Sequence, residues 1–229
     1  MSTVKPFIIS VTGAHSRVGK TTLCSILLKE LKGFGAIKFT KKPQTIDYRP
    51  QNTKHPLPHP PPLRGRVGVG GRTPNSLLVD DVNILNQKGK DTALFLEAGA
   101  RRVFWIQSPY NGLEYLLKVA ISRMRDLQGV IIEGNSPVDF ITPSLIIFII
   151  REKGEIKPSA IKISEKADIV IINSEKRISE RIRTKKKIPS LSVEGRKGKK
   201  VFWIDLIRKK GEIDEFLYFV KERINKNPH

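Results

Sequence analysis

"VTGAHSRVGKTT", residues 11–22, closes on Gly19-Lys20-Thr21, the ending of a phosphate-binding loop. The common pattern, G-x-x-x-x-G-K-S/T, sets its first glycine at position 14; this chain has Ala14 there, and Gly13 stands one residue early. The surroundings supply what the chemistry requires. A strand-like run over 7–12 leads in, and a helical pattern over 20–31 leads out, with Leu23, Ile26, Leu27 and Leu31 on one stripe and Gly33 placed to end it. Between such a strand and a helix N-terminus, successive backbone N–H groups converge on phosphate oxygens. The phosphate-binding candidates are therefore Gly13, Ala14, His15, Ser16, Arg17, Val18, Gly19, Lys20, Thr21 and Thr22. Gly19 permits close approach, Lys20 reaches the β- and γ-phosphates, and Thr21 holds Mg²⁺ through its hydroxyl. Alanine at 14 gives up only the freedom to take a positive φ.

Working outward, short apolar runs at 35–39, 103–107, 129–133, 145–150 and 168–172 alternate with helical patterns. Several are apolar on both faces, as strands covered by helices are. This predicts an α/β three-layer sandwich with a mostly parallel central sheet. Further helices are expected over 112–127 and 212–225, with Asp91 placed to cap another that follows it, and a last strand at 201–204. One domain is expected over 1–229, broken by a Pro/Gly-rich loop at about 50–75 and ending in a basic portion at about 177–229. Within that loop, 54–74 carries prolines first and glycines second, which suits neither a helix nor a central strand. Proline codons are CCN and glycine codons GGN, so an inserted palindromic DNA tract would encode this order; an inverted repeat in the coding DNA is the check.

The composition bounds the function. Hydrophobic content of 39% supports a real core, and the single cysteine, Cys24, offers neither an internal disulfide nor a metal cluster. No apolar run nears the roughly 20 residues of a membrane span, and the start of the chain lacks a signal-peptide pattern, so a cytoplasmic protein is expected. The 42 Lys and Arg against 22 Asp and Glu, net +20, suit a polyanion or simply a lysine-rich solvated surface. A nucleic-acid partner fits the charge, but no basic motif with interleaved aromatics supports one.

The loop resembles the "VTGTDTxVGKT" loop of dethiobiotin synthetases without a gap, including the early glycine and the valine before Gly19. It is also similar to the "KGGVGKTT" loops of the MinD/ParA group, with His15 where their signature lysine stands. Farther along, "GAIKFTKKP" (35–43), "GKDTALFLEAGARRV" (89–103) and "VIIEGNSPV" (130–138) resemble, in order, elements of the molybdopterin-guanine dinucleotide biosynthesis protein B (MobB) family. The departures are "EGNS" in place of "EGF", the foreign linker, and the basic C-terminal portion.

These resemblances imply a P-loop nucleoside triphosphatase that binds GTP or ATP with Mg²⁺, often as a homodimer, with GTP favoured by the MobB likeness. Lys20 and Glu133 are then the catalytic candidates, and Thr21 and Glu133 the metal ligands. Lys38 lies where the relatives carry a lysine near the phosphates or the second substrate. Asn173 ends a strand where guanine-binding relatives carry an "NKxD"-like base reader, whose Lys and Asp are missing here. The implied function is slow nucleotide hydrolysis related to molybdenum-cofactor nucleotide attachment. A phosphorylated cofactor or a molybdoenzyme-maturation protein is the implied partner. An ATP-dependent ligase resembling dethiobiotin synthetase and a nucleotide-gated adaptor with little turnover stay open.

Overall fold

The computed structural model describes residues 5–41, 66–67, 76–152, 155–174 and 199–226. The Pro/Gly-rich segment, but for residues 66–67, and the basic run 177–198 lie outside the described residues.

In chain order the elements are β1 (Phe7–Gly13), α1 (Lys20–Glu30), β2 (Phe34–Thr40), β3 (Arg66–Val67), β4 (Leu77–Val79), α2 (Val82–Leu85), α3 (Asp91–Glu97), β5 (Val103–Gln107), α4 (Leu113–Ser122), β6 (Gly129–Glu133), β7 (Leu145–Arg151), α5 (Pro158–Lys166), β8 (Ile169–Asn173), β9 (Lys200–Asp205), β10 (Lys210–Gly211) and α6 (Ile213–Asn225). The strands form one ten-stranded sheet in the order β10-β9-β8-β7-β1-β6-β2-β5-β4-β3. From β9 to β5 every pairing is parallel; β10, β4 and β3 join antiparallel at the edges. The expected α/β architecture with a mostly parallel sheet is what the chain adopts.

Side chains of a strand alternate between faces, so strands packed on both faces must be apolar throughout. β7 shows it plainly. Leu145, Ile147 and Ile149 enter the core beneath α1 and α6, while Ile146, Phe148 and Ile150 pack with Ala160 and Ile163 of α5. Helix α4 covers the same second face farther along, through Leu113, Leu116 and Leu117. Burying each such side chain is worth about 1.5–3 kcal/mol. Helix α1 buries Leu23, Cys24, Ile26, Leu27 and Leu28, so the stripe read from the sequence is its inner face.

The predicted helix over 112–127 is shorter than its pattern. It ends at Ser122, and Met124, although fully buried, sits in the turn that follows. The elements not anticipated are β3, β4, α2, α5 and β10. Among the described residues, no helix is long and apolar enough to cross a membrane.

Because the central strands are parallel, the ends of β1, β2, β6 and β8 all open on one edge of the sheet. From β1 the chain crosses β6 to reach β2, and from β6 it crosses back over β1 to β7. In open α/β sheets, ligands bind at the carboxyl edge where the winding reverses in this way.

Candidate functional site

The loop between β1 and α1 stands at that edge, and its odd spacing has a steric cause. A Cβ built on Gly13 would lie 2.5 Å from Cγ2 of Val18 and 3.1 Å from the carbonyl of Ile149, so position 13 admits only glycine. Ala14 is fully buried and lacks a positive φ; its methyl packs with Val138, Phe148 and Ile150. The left-handed turns fall instead at Arg17 (φ 59°) and Gly19 (φ 109°). The glycine requirement has moved from a torsion at 14 to a close approach at 13.

Polar side chains from neighbouring strand ends fix the loop. Asn135, just past β6, binds Gly13 twice: it accepts from the Gly13 N–H at 3.0 Å and donates to the Gly13 carbonyl at 2.9 Å. Arg151, closing β7, donates to the Arg17 carbonyl at 3.0 Å. Asn173, closing β8, donates to the Val18 carbonyl at 2.9 Å and accepts from the Leu206 N–H at 3.3 Å. Both atoms of its amide are thus committed to backbone partners, and Asn173 braces the loop from beneath. Of these three, Asn135 and Arg151 were not singled out as contacts from the sequence. An asparagine directly after a glycine at a buried strand end was the available signal for the first.

Lys20, the first residue of α1, donates to the His15 carbonyl at 2.9 Å across the loop. Burial pushes its ammonium below the ordinary lysine value of 10.5; Glu133 pulls it upward, and Lys38 adds to the lowering. The His15 ring makes a 2.6 Å contact through Nδ1 with the Ser16 carbonyl. Ser16, Arg17 and Thr22 are exposed, Thr22 on the first turn of α1.

Thr21, Glu133 and Lys38 meet at the ends of β6 and β2. The Thr21 hydroxyl lies 3.1 and 3.0 Å from the two oxygens of Glu133, whose side chain is only 3% exposed. Lys38 Nζ stands 2.6 Å from Glu133 Oε1 and 2.5 Å from Oδ2 of Asp91, the first residue of α3. Burial alone would lower the Lys38 ammonium, but Glu133 and the bond to Asp91 outweigh it and its pKa is raised. A hydroxyl beside a buried carboxylate is the hard-oxygen donor set that Mg²⁺ takes, so these residues fit that ion. Lys38 holds a positive charge at the same carboxylate. Behind them, on the inner face of α1, Cys24 is fully buried and its thiol is pushed well above its ordinary pKa, first by burial and then by Glu133.

Next to this network a cleft of about 170 Å³ opens, lined by Lys38, Thr40, Lys90, Asp91, Thr92 and Trp105. Trp105 is buried, as core tryptophans are, yet its indole edge faces the cleft and donates to Thr40 Oγ1 at 3.0 Å.

The architecture is similar to two solved structures of HypB. HypB from Helicobacter pylori, in complex with nickel, gives a TM-score of 0.53 at 12% identity, over 97% of this chain and 89% of that one. The hydrogenase maturation factor HypB from Archaeoglobus fulgidus gives 0.54 at 11% identity, over 96% and 91%. The chain has the P-loop NTPase fold. At such identities the likeness speaks to the fold alone. No protein-family model matches the chain, and no curated protein sequence does. Within the P-loop NTPase fold, the loop from Gly13 to Thr21 occupies the β1–α1 junction and Glu133 ends the adjacent strand β6. Among the described residues, no group of three or more His, Cys, Asp and Glu is placed to hold a metal ion.

Proposed function

We propose that this chain is a Mg²⁺-dependent nucleotide-binding protein, with GTP favoured over ATP, that hydrolyses its nucleotide slowly and works as a homodimer. The observation that carries the reading is the joining of Thr21 to Glu133 beneath a loop whose lysine, Lys20, lies across its mouth. The N–H groups of the loop and of the first turn of α1 bind phosphate oxygens, aided by the helix dipole. Lys20 neutralises charge on the β- and γ-phosphates. Thr21 and Glu133 would hold Mg²⁺, which would supply further charge neutralisation for the phosphates. Asn135 and Asn173 keep the loop in the conformation that aims its amides. The sequence resemblance to MobB supports a role in molybdenum-cofactor nucleotide attachment, with a phosphorylated cofactor or a maturation protein as second partner.

Calorimetric titration with GTP and ATP, with and without Mg²⁺, followed by phosphate-release assays, tests the reading. Tight binding that needs Mg²⁺ and is lost in Lys20→Ala is expected. Full nucleotide affinity in Lys20→Ala would overturn the assignment.

A further inference from the structure

The cleft beside Lys38 has no role in the scheme above. Its volume, about 170 Å³, is well under the roughly 300 Å³ at which pockets for larger organic ligands begin, so it suits a compact molecule rather than a nucleoside. Its wall carries two ammonium groups. Lys38 is shared between Glu133 and Asp91, whereas the described residues bring no carboxylate within ion-pair distance of Lys90. Lys90 is partly buried and sits over the face of Trp105, 4.7 Å from the ring centroid. Burial lowers its pKa. One strand position beyond Trp105 in its facing direction, and paired in register with Thr40, lies Gln107. Its amide is fully buried, and among the described residues neither its oxygen nor its nitrogen has a hydrogen-bond partner. Such a group is costly to leave unmatched, at about 1–3 kcal/mol.

We propose that this cleft binds a compact oxyanion, a carboxylate or a phosphate, between Lys90 and Lys38, at a site separate from the phosphate-binding loop. The site is linked to the loop through Lys38. When Glu133 is engaged by a metal, Lys38 loses that partner, keeps Asp91, and turns its charge toward the cleft. Oxyanion affinity therefore rises when Mg²⁺ and nucleotide are bound, and by reciprocity the oxyanion tightens the nucleotide complex. The link rests on the nucleotide-binding reading; the cleft itself does not.

The chain has two tryptophans, and the Trp105 indole N–H bonds to Thr40 inside the cleft, while Trp203 lies on β9 at the other end of the parallel strands. Their indole resonances in ¹H–¹⁵N NMR form a probe and its control. Succinate and inorganic phosphate are titrated separately, first alone and then with Mg²⁺ and a non-hydrolysable GTP analogue occupying the loop. A saturable shift of Trp105 with Trp203 unmoved is expected, and whichever probe produces it names the class of oxyanion. Lys90→Ala should weaken binding about tenfold or more, and Lys90→Arg should restore most of it. Equal, non-saturating movement of both indoles, or unchanged affinity in Lys90→Ala, would overturn the proposal. The two readings part in Lys20→Ala. A retained Trp105 response there, with nucleotide binding lost, supports both. Nucleotide binding with a silent Trp105 removes the cleft alone, and a Trp105 response without nucleotide binding in the unaltered protein removes only the nucleotide reading.

Discussion

At position 13 a single methyl group decides whether the loop can close. Gly13→Ala sets carbon against Val18 and the Ile149 carbonyl, and overpacking of this kind costs about 1–3 kcal/mol. Ala14→Gly, which matches the common motif more closely, removes a buried methyl and adds backbone freedom, for a loss of about 1 kcal/mol. Urea denaturation and nucleotide titration of the two variants should both show that moving toward the motif does not help. Lys38 allows a second test. Lys38→Met leaves Glu133 buried without its ammonium partner, a change worth about 3–5 kcal/mol. Mg²⁺ should raise the melting temperature of this variant more than that of the parent, since it replaces the missing positive charge. The residues of the loop were legible because their motif is local. The pairing of Lys38 with Glu133 joins residues 95 apart and depends on β2 lying next to β6, an adjacency no spacing in the chain reveals. The brace made by Asn173 was hidden for the same reason, since both its partners come from other elements.

Among the elements, those read correctly are apolar on both faces or carry a full helical stripe, as β7 and α6 do. Those missed are too short or too sparsely apolar to show a period. β4 has three residues, and α5 buries only Ala160, Ile163 and Ser164. β9 has a stronger signal and a larger part than a terminal appendage would. It pairs parallel with β8, and the turn after it is tied by Asp205, which accepts from the N–H groups of Ile207 and Arg208 and from the Arg208 guanidinium. Burial alone would raise the Asp205 carboxyl, but these bonds prevail and hold it below the ordinary 3.8. A depressed folded-state pKa gives stability that is full above the unfolded value and is lost as the pH falls through the folded one. The parent should therefore lose stability more steeply than Asp205→Asn between about pH 5 and pH 2, as followed by acid titration of the circular dichroism signal.

For the whole molecule, the C-terminal elements complete the same core that carries the loop. Phe202, Ile204, Leu206, Ile213, Phe216 and Val220 belong to the cluster that holds Val11, Val18 and Leu23. A Cβ on Gly19 would meet Leu206 Cδ1 at 2.7 Å, so the turn after β9 reaches the back of the loop itself. A chain ending at residue 198 should lose nucleotide binding and aggregate, because it bares β8 as an unpaired apolar edge. A soluble, monomeric 1–198 fragment with full nucleotide affinity, by size-exclusion chromatography and calorimetry, would show that the loop needs none of this support. The sequence showed "VFWI" as a strand but not that the turn after it walls the back of Gly19, since only the strand order places it there. One feature of that wall makes the protein its own reporter. The sole thiol of the chain, Cys24, is sealed behind the loop on the inner face of α1. An alkylating reagent can meet it only when α1 lifts from the sheet, so the labelling rate counts those openings with no other thiol to blur the signal. A bound nucleotide that clamps the start of α1 should lengthen the labelling half-life in step with its occupancy, and binding is then readable from a residue that takes no part in it.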